Sequence, residues 1–238
     1  MTRRRWIADQ VSGNRAALLG PHADHLIRVL RARLGQEYDI VANAVVRRGQ
    51  VADIKDGRIE FELGEEVPAE PATVQLTLLL AIFKFDRMEW AIEKCTELGA
   101  SRIIPLIARR TDSHLAAASA KRAERWRRIC LQAAEQSRRA NPPEIPDPVK
   151  LRDALALPAE LKIVLSEVEE QAGLPEIVSP QSVGEVLLAV GPEGGWTEDE
   201  LQLFAHKGWH SVSLGSTILR AETAAIAATA ITISILGR

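Results

Sequence analysis

Residues Val186 to Ala225 read VLLAVGPEGGWTEDELQLFAHKGWHSVSLGSTILRAETAA. The opening run, Val186-Leu187-Leu188-Ala189-Val190, has no polar position on either face, which marks a strand covered on both sides. It breaks at once into Gly191-Pro192-Glu193-Gly194-Gly195. Three glycines around a proline make a loop that reaches positive φ and lets backbone N–H groups approach a ligand without side-chain obstruction. Thr197 reads as a helix N-cap, and Glu198, Asp199 and Glu200 fill a first turn where acids favour the helix dipole. Ser211-Val212-Ser213-Leu214 reads as a second short strand that ends at Gly215. Ile218-Leu219-Arg220 and a helix rich in Ala and Ile follow. In an open α/β sheet, ligands bind where such loops meet beyond the carboxyl ends of strands. Either glycine loop alone is as consistent with turn chemistry as with a site. Paired, they are the best cofactor-site candidate in the chain.

Upstream, Val74 to Phe83 is a long apolar run and the first strand of the same domain. Asp86 is placed as N-cap of a helix over Arg87 to Leu98, with Met88, Ala91, Ile92, Cys95 and Leu98 as its buried stripe and Gly99 as its C′ glycine. Ile103 to Ile107 and Lys162 to Ser166 are further strands. Lys121 to Arg138 is a long helix whose inner face is Trp126, Ile129, Ala133 and Ser137, and Thr223 to Leu236 is an apolar closing helix. Strands alternating with helices imply crossover connections and a largely parallel sheet. Before this domain, Arg3 to Ala69 reads as a small β-rich domain. His22 to Arg31 is patterned as a helix. Tyr38 to Ala42, Val45 to Ile54 and Arg58 to Leu63 are strands, and Asp56-Gly57 is a hairpin turn. The acidic, proline-bearing segment Glu65 to Pro71 is the expected linker. The domains are therefore 1–69 and 70–238.

The hydrophobic share, 46%, and the charged share, 26%, are those of an ordinary globular protein. The near-neutral net charge hides two basic blocks. Met1 to Leu34 carries seven arginines against two acids, and Arg109 to Arg139 carries nine basic residues against three acids. Each block is a solvated face or a phosphate-binding surface. Cys95 and Cys130, the only cysteines, sit beside apolar residues in helical patterns and are expected to be buried and reduced. Two cysteines without clustered histidines offer no zinc-site spacing, so no metal is expected. No apolar h-region follows the arginine-rich start, and no run has the length and apolarity of a membrane span. The chain is expected to be cytoplasmic.

No G-x-G-x-x-G follows the first strand, and no G-x-x-x-x-G-K-[ST] occurs, so a dinucleotide-binding Rossmann domain and a P-loop NTPase both lose their main support. The glycines lie late in the fold. GPEGGWTEDEL and SLGSTILRAETA resemble the two signature segments of the RsmE-type methyltransferases, members of the SPOUT (α/β-knot) superfamily. Lys84 to Trp90 (KFDRMEW), Lys94 to Gly99 (KCTELG) and Glu135 to Arg139 (EQSRR) resemble further family segments, in the same order over nearly the whole chain. The resemblance implies a mainly parallel, trefoil-knotted sheet with helices on both faces, preceded by a small PUA-like β-barrel that helps grip RNA. It implies a homodimer in which S-adenosyl-L-methionine (SAM) methylates N3 of a uridine in 16S ribosomal RNA, a step of ribosome biogenesis.

The resemblance places the cofactor against Gly191, Pro192, Glu193, Gly194, Gly195, Ser213, Leu214, Gly215, Ile218, Leu219 and Arg220. It places RNA near Arg3, Arg4, Arg28, Arg31, Lys84, Arg87 and Arg138. Arg139 stands where the family's E-Q-S-x-R arginine stands and is the expected catalytic residue; Arg138 occupies the position that is usually glycine, which leaves open which of the two faces the uridine. Arg220 and Glu222 pair with each other, cap the last helix, or contact the base. No side chain stands out as a general base. A SPOUT enzyme acting on another RNA, and a non-catalytic RNA-binding assembly factor, are the competing readings.

Overall fold

The computed structural model describes residues 5–43, 45–67, 74–137, 139, 141–169, 171–178 and 184–236. The chain divides into two compact units: 1–71 with 134–141, and 72–133 with 142–238.

The first unit holds β1 (Arg5–Ile7), β2 (Gln10–Ser12), β3 (Arg15–Leu18), β4 (Glu37–Ala42), β5 (Val45–Lys55) and β6 (Arg58–Glu66). They form one sheet in the order β1-β4-β5-β6-β3-β2. Only β1 and β4 run parallel. The sheet curls because β5 carries irregular register near Gly49, where an added Cβ would collide with the Ile40 side chain. Leu18, Ile40, Phe61 and Leu63 fill the concave side. Asp56 and Gly57 have φ of 50° and 71°, the signature of the expected hairpin turn. Glu65 and Glu66 belong to β6, so the linker starts later than its composition indicates. The helix expected over His22 to Arg31 is instead α1 (Gly20–Asp24) followed by a π-helical turn, His25–Val29. It stops before Arg31, whose φ is 51°.

The second unit alternates β7 (Val74–Ala81), α2 (Phe85–Leu98), β8 (Arg102–Ile107), α3 (Ser113–Gln136, whose residues from Ala134 on belong to the first unit), β9 (Val149–Lys150), α4 (Leu151–Ala154), β10 (Leu161–Leu165), α5 (Leu174–Ile177), β11 (Gly184–Val190), α6 (Glu198–His206), β12 (His210–Val212) and α7 (Ala221–Leu236). The sheet order is β12-β10-β11-β7-β8-β9, and every pairing is parallel. Leu76, Leu78, Ile103, Ile163 and Leu188 face a core shared with α2, α3 and α7. Their neighbours Leu79, Ile104, Val164 and Leu187 face a second core that includes Phe204 and Trp209. Both faces are covered, which is why these strands read as unbroken apolar runs.

Several boundaries differ from the sequence expectation. Lys84, not Asp86, is the N-cap of α2, and Asp86 sits inside its first turn, where it still complements the dipole. α3 begins at Ser113, eight residues before the expected Lys121. Asp112 explains this: its Oδ1 accepts the N–H groups of His114 (2.8 Å) and Leu115 (3.1 Å), closing the helix start. α3 also ends at Gln136, short of Ser137. β12 ends at Val212, because Ser213 leaves the sheet to bridge Gly173. Gly99 ends α2 in the left-handed region, at φ 113°, as its position indicates.

Candidate functional site

β10, β11 and β12 are neighbours in the sheet, so the loops after their carboxyl ends converge. Between them lies a cavity of about 510 Å³. All eleven residues expected at the cofactor line it: Gly191 to Gly195, Ser213 to Gly215, and Ile218 to Arg220. Three more wall residues come from the end of β10 and just beyond, Leu165, Ser166 and Glu167, and another is Arg87 of α2. The rule that puts ligands at strand carboxyl ends flags the β10 residues once that strand is recognised.

The Gly191–Gly195 loop is clamped from several sides. Arg110 donates from Nη1 to the carbonyls of Gly194 (2.7 Å) and Trp196 (3.1 Å). The buried Trp196 donates from Nε1 to Leu165 O at 2.9 Å, which ties this loop to the end of β10. Thr197 and Glu200 form a reciprocal capping box at the start of α6. The other oxygen of Glu200 accepts the N–H of Arg109 at 2.7 Å. Two glycines stand close against their neighbours. A Cβ on Gly191 would stand 3.2 Å from the Trp196 ring, and one on Gly195 (φ 68°) would overlap the Glu167 carboxylate. The second loop is pinned by Ser213 N–H to Ala172 O (2.9 Å) and Leu174 N–H to Ser213 O (3.1 Å).

Arg87 joins the Gly191–Gly195 loop to α7. Its Nη1 is 3.3 Å from Oε1 of Glu193, and its Nε is 3.8 Å from Oε1 of Glu222 in the first turn of α7. Glu222 is buried, and its Oε2 has no hydrogen-bond partner. Its partner is therefore Arg87 and not Arg220, which is exposed on the cavity rim.

The remaining expected residues lie elsewhere. Arg28 is exposed and pairs with Asp24 at 3.4 Å. Arg31 is exposed just beyond the π-helical turn, and Lys84 is exposed before α2. Arg139 follows α3 in the first unit, half-buried, its N–H bonded to Ala134 O at 2.8 Å. Arg3, Arg4 and Arg138 lie outside the described residues. Among the described residues, no group of three or more His, Cys, Asp or Glu side chains could hold a metal ion, and no helix is long and apolar enough to cross a membrane. Cys95 and Cys130 are buried and not joined in a disulfide.

The RNA methyltransferase domain family matches residues 70–233. The ribosomal RNA small subunit methyltransferase E of Rickettsia conorii is 39% identical over 183 residues, 76% of this chain and 73% of that protein. Among solved structures, a ribosomal RNA small subunit methyltransferase E from Neisseria gonorrhoeae bound to S-adenosyl methionine superposes with a TM-score of 0.82 at 30% identity, over 99% of both chains. A methyltransferase from Legionella pneumophila in complex with the bound cofactor SAM gives a TM-score of 0.81 at 27% identity, over all of both chains. A parallel sheet whose late glycine loops enclose one cavity, together with these likenesses, places the chain in the ribosomal RNA small subunit methyltransferase E family of RNA methyltransferases, with that family's SPOUT-type α/β fold behind a PUA-like barrel.

Proposed function

We propose that the protein is a SAM-dependent methyltransferase that modifies N3 of a uridine in 16S ribosomal RNA. One observation carries this: all eleven residues expected at the cofactor meet in one cavity, at the carboxyl ends of three neighbouring strands, in a chain of this family. The cavity suits the group. Leu165, Val190, Val212, Leu214 and Leu219 offer apolar wall to a purine, and the glycine loops offer backbone donors and acceptors. SAM held there supplies a methyl group already activated on a sulfonium.

The protein's own work is positioning and charge support. The clamped loops fix the donor, so little ordering is left to be done on binding. Methylation at N3 requires loss of the N3 proton and puts negative charge on the uracil oxygens. Arg139 is the group assigned to that charge, on the strength of the E-Q-S-x-R segment. Arg28, Arg31, Lys84 and Arg87 are assigned to RNA phosphates, with the curled sheet of the first unit as the RNA grip. Arg87 adds a second task, since it already bridges Glu193 and Glu222 at the cavity. A cytoplasmic homodimer completes the reading. The half-buried Ile226, Ile231, Ile233 and Ile235 of α7 support it, because such a helix gains from further apolar cover.

The test is transfer of labelled methyl from SAM to small ribosomal subunits lacking the modification, followed by nucleoside mass spectrometry. The expected product is N3-methyluridine, with transfer falling at least a hundredfold in Arg139→Ala if the arginine is worth what one oxyanion-hole donor is worth, about 10²–10³. Methyl on a ribose oxygen, or none despite measurable SAM binding, would overturn the assigned target.

A further inference from the structure

His22, in α1, stands between two carboxylates. Its Nε2 is 3.0 Å from Oε2 of Glu135, and its Nδ1 is 4.0 Å from Oδ1 of Asp9. The groups around it come from every side. Asp9 follows β1, and its Oδ2 accepts the N–H of Leu19 at 2.7 Å. Trp6 of β1 presents its ring edge-on at 6.4 Å, and His25 lies 5.8 Å across that same ring. Glu135 comes from the last turn of α3, within the segment 134–141 that belongs to the first unit.

Glu135 is badly placed without a cation. It lies one residue before the end of α3, where the helix dipole disfavours negative charge. Its side chain keeps only 18% of its exposure. Burial pushes its carboxyl up from the ordinary value, His22 opposes that, and Asp9 adds to it. An imidazolium between the two acids relieves the dipole and the repulsion together. The turn that follows begins beside it, since the N–H of Arg139 is bonded to Ala134 O.

We infer that His22 is a positioning residue: through Glu135 it holds the 134–141 segment, and with it Arg139, in place in the first unit. The consequence for catalysis rests on the reading of Arg139 given above.

The experiment compares wild type, His22→Ala and His22→Lys, as the free protein, by hydrogen exchange of residues 134–141 near neutral pH. The alanine variant should exchange severalfold faster than wild type. The lysine variant, which keeps a cation beside Glu135, should stay protected. In methyl transfer the alanine variant should lose kcat severalfold with unchanged SAM affinity, and lysine should restore it. Equal exchange in wild type and His22→Ala, or a lysine variant that exchanges as fast as the alanine variant, overturns the proposal, because a loss of packing alone would not be restored by a cation. Arg139→Ala is run alongside. If it transfers methyl normally, the reading of Arg139 fails, and the exchange data still decide the role of His22.

Discussion

Gly195 shows what a single position settles. Its φ of 68° lies in the left-handed region, and a Cβ there would overlap the Glu167 carboxylate. The strain alone is worth about 1–2 kcal/mol. Gly195→Ala should therefore lower the folded-to-unfolded ratio by about five- to thirtyfold, measured by denaturant titration. Cys95 shows the opposite extreme, a side chain withdrawn from chemistry. Burial pushes its thiol up to about 12, with the Thr229 hydroxyl opposing weakly. Cys95 should stay unreactive toward a thiol reagent near neutral pH and react only on unfolding. The glycine was readable as an open backbone position, but the carboxylate occupying its space was not. Glu167 follows β10, while Gly195 follows β11, and nothing local links them.

The long helix α3 shows why boundaries are hard to read. The stretch HLAAASA has little amphipathic contrast, so periodicity starts the helix only at Lys121. The cap at Asp112 starts it at Ser113. The Leu115 and His114 N–H groups hold that carboxyl below its ordinary range. A carboxyl depressed in the folded state stabilises above its unfolded pKa and loses that contribution as pH falls through its folded pKa. Asp112→Ala should thus lower the denaturation midpoint at neutral pH, and the gap from wild type should close at pH values below the ordinary carboxylate range. By contrast, the start of α6 was readable to the residue, because Thr197 and Glu200 carry the whole capping box within four positions.

At the scale of the whole molecule, RNA binding is the property most exposed to solution conditions. If Arg28 and Arg31 each neutralise a phosphate, replacing both by alanine should reduce the slope of log affinity against log salt by about 2, leaving SAM affinity unchanged. Filter binding over a salt series measures it. The apolar runs at β7, β10 and β11 and the late glycine loops determined by themselves that the second domain is α/β with its site at the sheet's carboxyl edge, because burial on both faces and glycine-rich turns are written locally. Only the tertiary structure decided that Arg87 serves Glu193 and Glu222, that Glu167 fills the space beside Gly195, and that His22 meets Glu135. Each of these joins residues far apart in the chain, and a pairing of charges or a filled space exists only once the backbone has brought both partners together.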